Sequence, residues 1–178
     1  NGIDNSPVVK YQERKSISTE RTFDKDTIDV KKLEGIIIAI AENLVYQLRR
    51  GNKLTGCISF KIRYSDFQTY TLQKRISYTS SDHKIIPIVK ELYKKLFQRR
   101  MLVRLIGVKF SHLVDGGFQI DLFDDDESII NLYQAMDKMR ERFGDRAVIR
   151  AVGMDAKSIS RWNPFNGDPP PLLANRRR

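Results

Sequence analysis

Stretches of alternating apolar and polar residues occur four times in this chain, and they constrain its fold more than any other feature. They cover residues 15–23, 57–64, 69–76 and 102–110. Such alternation is typical of a β-strand that buries one face, because successive side chains point to opposite sides of a sheet. The sequence therefore predicts four half-buried strands.

Two segments of helical periodicity separate these strands. The first follows Asp29, a favourable N-cap, and ends at Gly51 after two arginines. Its apolar positions are Leu33, Ile37, Ile40, Leu44 and Leu48. The second begins at Ser81-Asp82 and tolerates Pro87 near its first turn. Its apolar stripe is Ile85, Val89, Leu92 and Leu96.

The resulting order of elements is βαββαβ. It predicts a ferredoxin-like α+β fold, in which two helices cover one face of a four-stranded antiparallel sheet and a C-terminal extension follows. In such a fold the second face of the sheet stays open to water or to a ligand.

The last strand needs an irregularity to bury its apolar residues, which fall in opposite phases before and after Ile106-Gly107. A β-bulge near these two residues would bring all of them to the core side. The residues concerned are Val103, Leu105, Val108 and Phe110. The same bulge would send Arg104 and Lys109 together to the open face.

Polar and basic residues of all four strands share the open face in this scheme, with Glu20 as its one acid. The face comprises Ser16, Ser18, Thr22, Lys61, Arg63, Thr69, Thr71, Gln73, Arg75, Arg104, Lys109 and Ser111. Arginine and lysine contact phosphate oxygens, and hydroxyl groups approach a nucleic-acid backbone closely without reading bases. The pattern therefore favours duplex nucleic acid as the partner.

Two other interpretations compete with this one. Any half-buried sheet is polar on its outer face, although agreement among four strands makes this explanation weaker. A free-standing RNA-binding protein of ferredoxin-like fold would share the order of elements, but it would place stacking aromatic residues on the open face. Here Phe60, Tyr64 and Tyr70 fall in the core phase.

The charge of the chain is concentrated in the same region. The formal net charge is +10 and the isoelectric point is near 9.8. Up to Phe118 there are 22 basic and 12 acidic residues, and beyond it there are 10 of each. A basic domain followed by a neutral segment with another role is the simplest explanation, and it indicates a polyanionic partner.

Several other classes of protein are disfavoured. The single cysteine, Cys57, cannot form an intramolecular disulfide, and His83 and His112 lie too far apart to form a zinc site of the usual spacing. No apolar run approaches the roughly 20 residues that a membrane helix needs. We expect a cytoplasmic, nucleoid-associated protein, monomeric in this form, and the start at Asn1 suggests part of a longer chain.

Particular residues resemble a known family. Lys15-Ser16-Ile17-Ser18 with Glu20-Arg21-Thr22-Phe23, residues 56–64, and residues 103–111 are similar to strands of the little-finger domain of Y-family translesion DNA polymerases, of the bacterial DNA polymerase IV type. The resemblance runs from about Gln12 to Leu113. It implies error-prone DNA synthesis by the parent protein, in which this sheet grips primer-template DNA along its backbones.

The resemblance also assigns residues to that role. It implies contacts to DNA from Lys15, Ser16 and Ser18 of the first strand and from Arg104, Lys109 and Ser111 of the last. The full predicted set is Lys15, Ser16, Ser18, Thr22, Lys61, Arg63, Thr71, Gln73, Arg75, Arg104, Lys109 and Ser111. The family's magnesium-binding carboxylates belong to a palm domain that precedes this region, so no catalytic residue, cofactor or metal ligand is expected here.

A second motif, Gln119-Ile120-Asp121-Leu122-Phe123, follows two glycines. It resembles the pentapeptide by which bacterial DNA polymerases bind the sliding clamp. In that role the Gln119 amide would form directional hydrogen bonds, while Leu122 and Phe123 would fill an apolar pocket. The competing interpretation is that these two apolar residues cover an edge of the domain. Within this family, clamp binding is the favoured role.

The expected organisation has five parts. Residues 1–12 form a linker from a missing N-terminal polymerase core, 13–115 the little-finger domain, 116–124 the clamp-binding peptide, 125–160 a C-terminal helix and short strand, and 161–178 a flexible tail.

The C-terminal helix is expected to reach Gly144 and to pack on its own chain. Its apolar residues are Ile129, Leu132, Tyr133, Met136 and Phe143. A strand is predicted at residues 147–149. The acidic run at 124–127 favours the start of this helix rather than a cation site, because the helix dipole attracts negative charge at the N-terminus.

Overall fold

The computed structural model describes residues 13–98, 100–116 and 126–154. Its elements are β1 (Ser16–Thr27), α1 (Val30–Arg50), β2 (Lys53–Tyr64), β3 (Thr69–Thr79), α2 (Asp82–Leu96), β4 (Val103–Asp115), α3 (Asp126–Phe143) and a 3₁₀ turn (Ala151–Gly153). The predicted βαββαβ order is confirmed. The pentapeptide at 119–123 and the tail at 161–178 lie outside the described residues.

The four strands form one antiparallel sheet in the order β1-β4-β2-β3. Helices α1 and α2 pack on one face, where the fully buried side chains Phe60 and Phe110 of the two central strands meet them. This confirms the α+β, ferredoxin-like prediction. All four strands are longer than their patterns indicated, because the sequence alternation weakens before the backbone pairing ends.

Helix α1 begins and ends as the sequence predicts. The Asp29 carboxylate accepts a hydrogen bond from the Lys32 backbone N–H at 3.1 Å, and Gly51 follows the last turn. One stripe of the helix faces the sheet, with Leu33 and Leu44 completely buried. The other side of α1 is also covered, which the predicted amphipathic stripe did not anticipate.

The predicted position of the bulge in β4 is wrong. Pairing is continuous through Ile106-Gly107 on both sides of the strand. The register shift lies instead at Arg104, because Val103 pairs with Tyr64 whereas Leu105 pairs with the adjacent Arg63. The core side therefore receives Val103, Ile106, Val108 and Phe110, and Leu105 moves to the open face.

The C-terminal segment packs on the outer side of α1 through polar groups. Arg49 donates two hydrogen bonds to the Asp137 carboxylate of α3, at 2.6 and 2.9 Å, and one to Asp82 of α2 at 2.9 Å. Its guanidinium carbon also lies 4.9 Å from the centre of the Tyr133 ring. The Tyr133 hydroxyl in turn accepts a hydrogen bond from the His83 backbone N–H at 3.0 Å.

The turn region after α3 continues this contact along α1. Arg150 lies 2.9 Å from the Glu42 carboxylate, and the 3₁₀ turn packs on Gly35. A Cβ atom at Gly35 would stand only 2.6 Å from the Val152 carbonyl oxygen, so this close approach requires glycine. Burial raises the pKa of Glu42, and the charge of Arg150 only partly opposes this effect.

The helix predicted up to Gly144 is confirmed, but two details of this segment are wrong. Residues 147 and 148 form a bend and residue 149 has no regular structure, so no strand forms there, and the Val148 carbonyl accepts hydrogen bonds from Arg140. Within α3, Tyr133 is buried as expected, whereas Leu132 and Phe143 are exposed. The less exposed side of α3 combines the predicted apolar residues Ile129, Tyr133 and Met136 with the ion-pairing residues Asp137 and Arg140. An apolar periodicity cannot reveal these two charged residues.

Candidate nucleic-acid interface

The open face of the sheet consists of four rows of side chains that run across the strands. Residues directly opposite each other in paired strands point to the same side. The rows are Ser16, Ser111, Cys57 and Arg75; Ser18, Lys109, Ser59 and Gln73; Glu20, Gly107, Lys61 and Thr71; and Thr22, Leu105, Arg63 and Thr69. Ten of the twelve residues predicted to bind nucleic acid lie in these rows.

The charge of this face is almost entirely positive. Glu20 is its one acid among the sixteen row positions, and it forms an ion pair with Lys61 at 2.5 Å. Arg63 donates a hydrogen bond to the neighbouring Thr69 hydroxyl at 2.7 Å. Within the part of the chain that the structure describes, Arg75 and Lys109 are exposed and have no ion-pair partner. Two cations are thus available to an anionic ligand.

The remaining two predicted residues lie outside the rows. Lys15 precedes β1 and is exposed. Arg104 does not share the phase of Lys109, because it occupies the register shift of β4. Its guanidinium faces Asp26 at 3.6 Å and the ring of Phe67, with 4.7 Å between the guanidinium carbon and the ring centre. The prediction that one bulge would align Arg104 with Lys109 is therefore wrong.

Six row positions were not among the predicted binding residues, namely Glu20, Cys57, Ser59, Thr69, Leu105 and Gly107. Cys57 and Ser59 are buried within the rows, and Gly107 leaves space that the Glu20 side chain fills. Alternation in β2 already placed Cys57 and Ser59 on this side. Leu105 could not be found from the sequence, because its placement depends on where the strand pairing shifts.

The aromatic residues Phe60, Tyr64 and Tyr70 lie on the opposite, core side, as predicted. Tyr64 and Phe60 are completely buried. None of the sixteen row positions is aromatic. The face can therefore contact phosphates and sugars but has no ring on which a base could stack.

The described residues contain neither a metal-binding cluster nor a membrane-spanning helix. In residues 13–98, 100–116 and 126–154, no three His, Cys, Asp or Glu side chains come close enough to hold a metal ion. No helix of these ranges is long and apolar enough to span a membrane. His83 contacts the Tyr133 hydroxyl through Nδ1 at 2.9 Å, and Cys57 is a buried free thiol.

Comparison with known proteins agrees with this architecture. The chain is 36% identical over 157 residues to the DNA polymerase IV of Clostridium acetobutylicum. The aligned region covers 85% of this chain and 39% of that relative. It is 33% identical over 149 residues to the enzyme of the same name from Dehalococcoides mccartyi. Here the aligned region covers 83% of this chain and 38% of the relative. The chain thus spans well under half the length of these curated relatives.

The fold recurs in DinB from Sulfolobus solfataricus, with a TM-score of 0.50 and 18% identity over 57% of this chain and 29% of that one. Residues 14–122 match the model of the C-terminal domain of the impB/mucB/samB family. The chain therefore belongs to the impB/mucB/samB family, with residues 14–122 as its C-terminal domain, and the resemblance to Y-family DNA polymerases is confirmed.

Proposed function

We propose that the open face binds duplex DNA through its two backbones, without reading the base sequence. The observation that carries this proposal is the set of four rows, in which lysine, arginine, serine and threonine accompany a single, neutralised acid. Such groups contact phosphate and sugar, and these contacts carry no sequence information. The lack of aromatic rings in the rows disfavours the RNA-binding alternative, which needs bases to stack on the sheet.

Replacing Arg75 and Lys109 together with alanine should weaken binding to unrelated duplex sequences by a similar factor. Each lost phosphate contact lowers the slope of log K against log salt concentration by about 0.9. We therefore expect this slope to fall by about 1.8 for the double variant. The measurement is a salt titration of binding by fluorescence anisotropy on two unrelated duplexes.

The matched control is the double variant Lys90→Ala and Lys94→Ala on α2, which removes the same charge from the helical side. It should leave the slope nearly unchanged. A loss restricted to one of the two duplex sequences would indicate base reading and contradict the proposal, as would equal effects of the two double variants.

At the level of the whole protein, we propose that this chain serves as the C-terminal part of an error-prone, translesion DNA polymerase. The relatives named DNA polymerase IV support this role. The chemistry, including the magnesium ions that the family's palm domain holds, would then reside in the part of those relatives that this chain does not cover. The described residues have no cluster that could hold such ions.

We further propose that residues 119–123 bind a bacterial sliding clamp. The motif begins at Gln119, four residues after Asp115, the last residue of β4. A clamp-binding peptide in the same chain as a duplex-binding face would keep the polymerase on DNA, because linking two binding sites raises the effective concentration of the second.

Replacing Leu122 and Phe123 together with alanine should weaken clamp binding by about 2 kcal/mol, or about 30-fold in Kd, if both are anchor residues. Duplex affinity and melting temperature should stay nearly unchanged. Isothermal titration with a purified bacterial clamp measures the first effect, and a thermal melt the second.

The double variant Leu132→Ala and Phe143→Ala on α3 removes the same pair of side chain types from exposed positions and should leave clamp binding intact. If Leu122→Ala with Phe123→Ala instead lowers the melting temperature sharply and leaves clamp binding unchanged, these residues belong to the core.

A further inference from the structure

Phe67 occupies an unusual position at the tip of the β2–β3 hairpin. Its side chain is 64% exposed, and its backbone has a φ of 64°, in the left-handed region that favours glycine or asparagine. The turn holds this conformation through two hydrogen bonds. The Phe67 N–H donates to the Tyr64 carbonyl at 3.0 Å, and the Gln68 N–H donates to the Asp66 carboxylate at 3.0 Å.

A second element supports the same ring. The Arg104 guanidinium carbon lies 4.7 Å from the centre of the Phe67 ring, and an Asp26 carboxylate oxygen lies 3.6 Å from a nitrogen of the same guanidinium. Arg104 reaches this place because the register shift of β4 removes it from the regular alternation. The Leu102 carbonyl also accepts a hydrogen bond from the Ser65 N–H at 2.9 Å, which ties the hairpin tip to the start of β4.

Phe67 and Arg104 follow the last row of the open face along their strands. The last row of that face contains Leu105 and Arg63, the neighbours of Arg104 and of the hairpin along their strands. An aromatic ring backed by a guanidinium is therefore placed where the basic face ends. Bases inside an intact duplex are stacked on each other, whereas an unpaired base offers a free face to such a ring.

We propose that Phe67, supported by Arg104, stacks on an unpaired nucleobase of single-stranded DNA where a duplex leaves the open face. This inference rests on the proposed duplex binding. Base–aromatic stacking tolerates any base because every base has a π-face, and it therefore suits a surface that does not read sequence. Arg104 adds a cation beside the ring, which strengthens contact with both the base and its phosphate.

The test compares three forms of one duplex. The first is blunt, the second has a single-stranded extension of a few nucleotides, and the third has an extension of the same length made of abasic sites. Binding is measured by fluorescence anisotropy at fixed salt concentration. The wild-type chain should bind the extended duplex about tenfold more tightly than the blunt one, in line with the usual contribution of one stacked base. The abasic extension should lose most of this gain.

Three variants separate stacking from other effects. Phe67→Leu keeps an apolar side chain of similar size and the same backbone strain, so it should fold normally and lose the gain. Phe67→Trp should keep it. Tyr78→Ala is the control. Like Phe67, Tyr78 is an exposed aromatic residue, but it lies in β3 and its ring packs over Gly56. It should keep the gain as well.

The outcomes distinguish this inference from the proposed function. If the wild-type chain fails to bind the blunt duplex at low salt, duplex binding by the open face is refuted. If it binds the blunt duplex but gains nothing from the extension, or if Phe67→Leu retains the gain, only the stacking role is overturned. An equal gain from the abasic extension would indicate phosphate contacts and would also overturn it.

Discussion

The variant Arg49→Met should lower the free energy of unfolding by about 3 kcal/mol, because it removes the nearest partner of the Asp82 and Asp137 carboxylates and leaves them only the more distant Arg150 and Arg140. The Arg49 side chain is 4% exposed and that of Asp82 is completely buried. Burial disfavours the charged guanidinium, yet the hydrogen bond to Asp137 and the charge of Asp82 raise the pKa of Arg49 above its ordinary value. Methionine fills a similar volume but cannot replace the hydrogen bonds that Arg49 donates to the two carboxylates.

The measurement is equilibrium unfolding in urea, followed by circular dichroism. Arg50→Met provides the matched control, since Arg50 is the next residue of the same helix and is exposed. It should change stability by less than about 0.5 kcal/mol. If both variants lose the same amount, the contact between α1 and α3 does not depend on this ion pair, and the polar docking of α3 is refuted.

The second large effect tests the register of β4. Ile106→Lys should prevent stable folding, because residue 106 is completely buried among apolar side chains and a lysine there would lack any partner. Leu105→Lys should be better tolerated, with a loss of about 1–2 kcal/mol. Leu105 is only 7% exposed, but it lies on the open face, where a lysine stem can cover the sheet while its ammonium reaches water.

Thermal melts and a one-dimensional proton spectrum of each variant measure the difference. A shift of the register by one residue exchanges the two faces of a strand. The observed register therefore predicts opposite outcomes for lysine at position 105, on the open face, and at position 106, in the core. With the bulge at Ile106-Gly107, as the sequence pattern suggested, residue 105 would lie in the core. Unfolding of Leu105→Lys together with normal folding of Ile106→Lys would support that earlier register.

Docking of α3 through ion pairs has a consequence for the organisation of the chain. Residues of the C-terminal segment cover three groups on the outer side of α1, because Arg150 pairs with Glu42, Arg140 lies over the Tyr46 ring and Asp137 pairs with Arg49. A chain cut after the pentapeptide would expose them. Residues 126–154 are therefore part of the folded unit, although they follow the segment of 14–122 that matches the family domain.

Periodicity alone determined the elements of this protein. The alternation in β2 and β3 and the spacing of apolar residues in α1 and α2 are local patterns, and each reflects one buried face. The polar character of the open face followed from the same alternation, so residues such as Ser18, Gln73 and Lys109 could be assigned before any coordinates were known. These assignments depend on neither strand order nor distant contacts.

Only the tertiary structure decided the features that depend on pairing between distant segments. The shift at Arg104 requires knowledge of both neighbours of β4, and it moved Leu105 to the open face and Arg104 to Phe67. The docking of α3 likewise depends on Arg49 and Asp137, which are 88 residues apart in the chain. Charged residues at a buried contact resemble surface residues in a sequence, because hydrophobic periodicity does not register ion pairs.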